Sequence, residues 1–225
     1  MTHITTALPE RDYAAFLFDM DGTILTSIIA AERVWTEWAR RHGLDVDVFL
    51  PTIHGKRAED TVRGVGLPDI DPVTEAHRIT LAEIADVDGI EAISGVAAFL
   101  ATLPAERWAI VTSAPRALAE ARIAAAGLPL PPVLVSADDV RRGKPAPDPF
   151  LLGAEKLGMR PEQCLVFEDT LAGLQSAEAA GMDSIVVTAT HKHPIETLAP
   201  GVPDYDQLRA IRTGEGLLRL QRIRS

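Results

Sequence analysis

Six side chains able to do chemistry recur in a fixed order along the chain. They are Asp19 and Asp21 in Asp-Met-Asp-Gly-Thr, Ser113 in Thr-Ser, Lys144 in Gly-Lys-Pro, and the adjacent Glu168 and Asp169 followed by Gly173. Three or four carboxylates brought to one spot raise each other's pKa unless a cation neutralises them. Oxygen donors without His or Cys favour Mg²⁺, which keeps several waters and takes a couple of carboxylates together with substrate phosphate oxygens. A carboxylate is already ionised at neutral pH, so Asp19 can attack phosphorus and form an acyl phosphate, dividing one hard displacement into two. Asp21, two residues on, would protonate the leaving oxygen and then deprotonate the attacking water. Gly22 lets the chain turn tightly and bares backbone amides, while the Thr23 side chain steadies the loop. Ser113 offers a hydroxyl and Lys144 a full charge to the transferring phosphoryl oxygens. One Asp at a strand end is ordinarily a cap or turn residue, and Lys144 alone would read as a surface lysine. The ordered set departs from both.

Such residues need elements to hold them together. Residues 13–18 form a short apolar run that ends at Asp19, as a buried parallel strand does where its carboxyl end opens into a loop. Apolar residues at helical spacing (Ile28, Ala31, Trp35, Trp38, Ala39) predict an amphipathic helix over 28–42, and further helices over 58–65 and 72–85, with no strand between them. From residue 96 helices and strands alternate: helices over 96–103, 115–126, 148–157 and 171–180, strands over 108–111, 133–135, 164–167 and 184–187. This alternation implies parallel pairing with right-handed crossovers, an α/β fold in which a three-layer Rossmann-like sheet core carries an inserted α-helical unit. The expected division is a core of residues 1–23 and 91–225 and a helical cap of 24–90. Ligands of open parallel sheets bind beyond the carboxyl ends of the strands, where all the residues above fall. The tail, about 204–225, reads as a short closing helix, with Leu217, Leu218, Leu220 and Ile223 inward and Arg219, Arg222 and Arg224 exposed.

Composition narrows the partners. The 225 residues carry 32 Asp and Glu against 22 Lys and Arg, a formal charge of −10, which repels nucleic acid and anionic membrane surfaces. The same charge repels a phosphorylated substrate, so a phosphate site needs a local cluster of cation, amide donors and basic groups. Cys164 is the single cysteine, so an apolar core rather than disulfides holds the fold, which suits a reducing cytoplasm. Residues 1–12 lack the apolar run of a signal peptide and no stretch is apolar for long enough to span a bilayer, so the expectation is a cytoplasmic chain. His191, Lys192 and His193 follow the last strand among Thr and Pro and read as a surface loop; Trp35 and Trp38 read as packing.

The four motifs, in this order over residues 13–190, resemble those of the haloacid dehalogenase superfamily. The helical block resembles the small cap of the subfamily holding phosphoglycolate phosphatases, β-phosphoglucomutases and sugar-phosphate phosphatases. That resemblance implies a phosphoric monoester hydrolase acting on a small phosphorylated metabolite, a sugar or polyol phosphate, as a monomer or homodimer. It further implies that Asp19, the Asp21 carbonyl and Asp169 hold Mg²⁺, with Glu168 as a further ligand or an orienter, and that Ser113 and Lys144 grip phosphate. True haloacid dehalogenases lack the aspartate corresponding to Asp21 and need no metal, which argues against dehalogenation here. The turn His54-Gly55-Lys56-Arg57 resembles the cap stretch of the glycerol-phosphate and deoxyglucose-phosphate phosphatase branch, as does the segment running through Ala114 and Arg116. These residues are the candidates for closing over substrate, reading its hydroxyls or a second phosphate, and excluding water. A phosphosugar mutase of the β-phosphoglucomutase type is the alternative, since it uses the same core. A binding protein without turnover would be expected to have lost Asp19 or Asp21.

Overall fold

The computed structural model describes residues 7–193, 195–214 and 216–223. In chain order its elements are β1 (Ala15–Phe18), β2 (Leu25–Thr26), α1 (Ile28–Arg41), α2 (Val46–Phe49), α3 (Ala58–Val65), α4 (Pro72–Ala85), β3 (Glu91–Ala92), α5 (Val96–Ala101), β4 (Trp108–Val111), α6 (Arg116–Ala125), β5 (Leu134–Val135), α7 (Asp148–Leu157), β6 (Cys164–Glu168), α8 (Leu171–Ala179), β7 (Asp183–Val187), β8 (Gly201–Val202), β9 (Leu208–Arg212) and β10 (Leu218–Arg222).

Apolar strands buried on both faces must be sandwiched, and these are. Every residue of β1, β4 and β6 is buried. They lie at the centre of a six-stranded sheet of order β5-β4-β1-β6-β7-β8, in which each neighbouring pair is parallel. Successive side chains of a strand point to opposite faces. Phe16 and Phe18 therefore face one layer, where they meet Phe99 of α5, Phe167 and Tyr205, while Leu17, Ala109 and Val111 meet Phe150 and Ala154 of α7 on the other. Phe18 and Phe167 stack with centroids 4.7 Å apart, which stiffens the two strands that end in Asp19 and Glu168.

Between β2 and β3 the chain leaves the sheet for α1 to α4, which bury an apolar cluster of their own around Trp35, Trp38, Phe49, Ile53, Val62 and Ile79. Both crossings run through a two-stranded antiparallel ribbon in which Leu25 faces Ala92 and Thr26 faces Glu91. The ribbon, the short α2 and the edge strand β8 carry too few residues for a periodic pattern and were not expected.

The tail differs from its expectation. In place of a closing helix, β9 and β10 form an antiparallel hairpin, with Leu218 opposite Arg212 and Leu220 opposite Ala210. The period is two, not 3.6: Leu218 and Leu220 are buried, while Arg219 turns outward to pair with Asp12. Reciprocal backbone bonds between Tyr13 and Leu218 fasten the hairpin beside the start of β1. Arg224 and residues 1–6 lie outside the described residues.

Candidate active site

The loops at the carboxyl ends of β1, β4, β5 and β6 gather the chemistry-bearing residues. Asp19 follows β1 directly and is 7% exposed. The chain then turns at Gly22, whose φ is +84°, a conformation that L side chains rarely adopt. A Cβ there would lie 2.0 Å from Asp169 Oδ2, so this glycine makes room for a carboxylate. Thr23 Oγ donates to Asp169 Oδ1 at 3.2 Å and ties the two loops together. Asp19, Glu168 and Asp169 each present one carboxylate oxygen, and these lie within 4.8 Å of one another.

Lys144 is the cation inside this group. Its ammonium donates to Asp19 Oδ1, to Glu168 Oε1 at 2.7 Å and to the Val111 carbonyl at 3.0 Å, which uses all three of its protons. Burial works against its charge, but Asp19 and Glu168 outweigh burial and hold its pKa above the usual lysine range. Glu168 is equally committed. Its Oε2 accepts from the backbone amides of Asp169 and Thr170, each at 2.8 Å, and from Thr170 Oγ at 3.0 Å. Gly173 is small because a Cβ there would lie 1.7 Å from Glu168 Oε1. Asp19 remains short of compensation: burial foremost pushes its pKa up to about 7, Lys144 opposes, and Glu168 and Asp21 add to the rise. Burial, Glu168 and Asp19 raise Asp169 well above the carboxylate range. Three carboxylates and one ammonium leave negative charge in a buried, oxygen-only pocket, and those donors fit a hard divalent cation.

Asp21 stands apart from this group. Ser27 Oγ donates to its Oδ1 at 2.5 Å, and Arg122 Nη1 of α6 pairs with the same oxygen at 2.9 Å. Arg122 Nη2 donates to Glu83 Oε1 of α4 at 3.0 Å, so one guanidinium joins Asp21 to the helical block. Arg122 and Glu83 are each 6% exposed. Burial raises the Glu83 pKa against the pull of Arg122. Neither residue was singled out in the sequence, yet a signal exists: Arg122 lies four residues after Leu118 and Glu83 four after Ile79, so each is a charge set in the apolar stripe of its helix.

The helical block roofs the site. Ser113 Oγ donates to the Gly55 carbonyl at 3.2 Å, and a Cβ on Gly55 would lie 2.8 Å from the Thr170 side chain. Beneath this roof is a cavity of about 90 Å³ lined by Asp19, Asp21, Trp35, His54, Lys56, Glu83, Ser113, Ala114 and Arg122 among others. Burial lowers the His54 pKa, although Glu32 Oε1 lies 3.7 Å from its Nε2. Arg57 and Arg116 are not brought into this cavity. Arg57 pairs with Asp60 at 2.7 Å and donates to the Arg141 carbonyl of the core at 3.3 Å, while Arg116 pairs with Asp139 at 2.9 Å. Of the presumed surface loop, Lys192 and His193 are exposed, but His191 is half-buried with its Nε2 2.7 Å from the Asp169 carbonyl oxygen. Trp38 is packed in the helical core and donates to Glu75 at 3.2 Å, whereas Trp35 also borders the cavity.

A parallel sheet bearing a carboxylate cluster, a lysine and a helical roof at its carboxyl end defines a class: Rossmann-like enzymes that work on small molecules in a covered site. The chain belongs to the haloacid dehalogenase-like hydrolases, a family whose pattern matches residues 13–181. It is 45% identical to hexitol phosphatase A of Escherichia coli over 80% of this chain and 85% of that protein. It is 36% identical to the fructose-1-phosphate phosphatase YqaB of the same organism, over 78% of this chain and 96% of that one. Among solved structures it is similar in fold to a β-phosphoglucomutase from Clostridium difficile, with a TM-score of 0.73 at 23% identity, covering 88% of this chain and 93% of that one.

Proposed function

We propose that this chain is a Mg²⁺-dependent phosphatase of small sugar or polyol phosphates that passes the phosphoryl group first to Asp19 and then to water. The observation that carries the reading is the juxtaposition of Asp19 with Lys144, Glu168 and Asp169, a nucleophile-capable carboxylate inside an oxygen-only cation site. Hexitol and fructose-1-phosphate phosphatases are what its relatives at 45% and 36% identity are called, whereas the likeness to a mutase concerns the fold alone. Hydrolysis is therefore preferred over phosphoryl transfer within a sugar.

In this mechanism an Asp19 oxygen attacks phosphorus, the bond to the leaving oxygen breaks, and that oxygen takes its electron pair and a proton from Asp21. Water then attacks the same phosphorus and gives its proton to Asp21, and the acyl–phosphate bond breaks to release inorganic phosphate and return the Asp19 carboxylate. Asp19, the Asp21 carbonyl and Asp169 would hold the ion, and Glu168, with both oxygens already engaged, orients Lys144 and the Asp169 loop. Mg²⁺, when bound, supplies positive charge for the phosphoryl oxygens and for Asp19. Ser113 and Lys144 grip the phosphate, each exchanging one of its present partners for a substrate oxygen. We assign residues 24–90 as the cap and residues 1–23 and 91–225 as the core. His54, Gly55 and Lys56 form the cap's roof toward substrate, while Arg57 fastens the cap edge to the core. A cavity of about 90 Å³ lies well under the roughly 300 Å³ at which small-molecule pockets begin, so the cap lifts to admit substrate.

Phosphate release from a panel of sugar, polyol and short-acid phosphates, with Mg²⁺ or chelator and with Asp19→Asn as control, tests the reading. Release that needs both Mg²⁺ and Asp19 is expected. Isomerisation primed by a bisphosphate with little free phosphate would make the protein a mutase.

A further inference from the structure

Two groups hold the acid–base carboxylate, and both answer to the cap. Ser27, which donates to Asp21 Oδ1, sits where the chain passes from β2 into α1, the first helix of the cap. Arg122 holds the same oxygen from the core side, but its other nitrogen is held by Glu83 on α4 of the cap, and α4 packs against α6. Both contacts fall on the same oxygen, and Asp21 lines the cavity under the cap. A guanidinium has a fixed planar fork, so the direction of one N–H sets that of the other. When Glu83 moves with the cap, the fork loses the partner that fixes its orientation from the cap side.

We propose that Arg122 is a positioning residue that carries the seating of the cap, through Glu83, to Asp21, so that Asp21 is aimed at the leaving oxygen only when the cap is closed. This rests on the reading of Asp21 as the acid–base group given above. The arrangement suits a hydrolase with an aspartyl phosphate: with the cap open, the group that activates water is out of register. Glu83 neutralises Arg122, so the fork orients Asp21 without adding net charge beside the cation site.

The test uses the full chain with Mg²⁺ and two substrates that differ in what their leaving group needs. The alkoxide of sorbitol 6-phosphate, or of whichever alkyl phosphate in the panel is turned over fastest, must be protonated as it departs; the phenolate of 4-nitrophenyl phosphate leaves unaided. Steady-state kcat is read for the first, and the single-turnover rate of nitrophenolate release, with enzyme in excess, for the second. Asp21→Asn serves as reference and is expected to lower the first far more than the second. Glu83→Gln, nearly isosteric, and Arg122→Lys, which keeps the charge but loses the fork, should lower alkyl-phosphate kcat by about 10- to 100-fold. That is part of the roughly 100- to 10,000-fold that acid–base catalysis supplies. Nitrophenolate release should stay within about threefold of wild type, because phosphorylation of Asp19 then needs no proton from Asp21. Equal losses on both substrates, or none on either, in Glu83→Gln would overturn the proposal and leave the pair a fastening of the cap. If Asp21→Asn itself fails to discriminate between the substrates, the acid–base reading falls and takes this proposal with it. Should Arg122→Lys not fold, Glu83→Gln decides alone.

Discussion

Burial makes the Asp19 carboxylate dependent on cations. Desolvation pushes its pKa up to about 7, and Asp169 is raised for the same first reason. A carboxylate whose folded-state pKa exceeds its unfolded value near 4 favours the protonated form in the fold. The stability it contributes is full below that unfolded value and is lost as pH rises through about 7. A divalent ion reverses the preference by pairing with the ionised forms, and it must displace protons to bind at low pH. Millimolar Mg²⁺ should therefore raise the melting temperature more at about pH 8 than at about pH 5, by several degrees if the ion is near a hundredfold above its Kd, where linkage supplies about 2.7 kcal/mol. Equal shifts at both pH values would mean that the ion binds elsewhere. That Asp19, Ser113, Lys144, Glu168 and Asp169 come to one end of the sheet was legible in the sequence, because they form an ordered set lying beyond the ends of successive strands. Arg122, Glu83 and His191 were not: their roles depend on which helix or loop faces which, and one-dimensional spacing records only that a charge falls in an apolar stripe.

At the scale of elements, long periodic segments were readable and short ones were not. The predicted helices over 58–65, 72–85 and 148–157 coincide with α3, α4 and α7, where Asp71 caps Thr74 and Gly158 closes α7 in the left-handed conformation. The tail failed because Leu217, Leu218, Leu220 and Ile223 satisfy a helical spacing about as well as a strand's, and five-residue runs do not decide between the two periods. What decides is tertiary: the Tyr13 backbone offers a partner to Leu218, and a hairpin can accept it. The hairpin makes a clear forecast. Leu220, 3% exposed, should cost about 2–4 kcal/mol on truncation to Ala, against less than about 1 kcal/mol for Ile223, which is 46% exposed. Chemical denaturation of the two variants checks this, and similar small losses at both positions would favour a helical or loosely attached tail.

For the whole molecule, the contacts from Ser113 to Gly55 and from Arg57 to Arg141 hold the helical block over a cavity of about 90 Å³, well under the roughly 300 Å³ at which small-molecule pockets begin. On the proposed reading, turnover requires the helical block to move about the β2–β3 ribbon, the place where both crossings between sheet and helices occur. Val48 on the cap and Leu198 on the core are 70% and 91% exposed, and Cys164 is buried, so Val48→Cys with Leu198→Cys gives a selectively labelled pair for single-molecule energy transfer. Two exchanging populations are expected, shifting toward the closed one on adding Mg²⁺ with a phosphate analogue; a single unchanging distance would contradict an opening cap. The central claim is that phosphate passes through Asp19, and one measurement reaches it directly. Enzyme mixed with a polyol phosphate and Mg²⁺ is quenched in acid within one turnover, digested, and the peptide containing Asp19 weighed. The account predicts a phosphorylated Asp19 that rises and decays as inorganic phosphate appears. Phosphate released at the same rate with Asp19 never modified would contradict it.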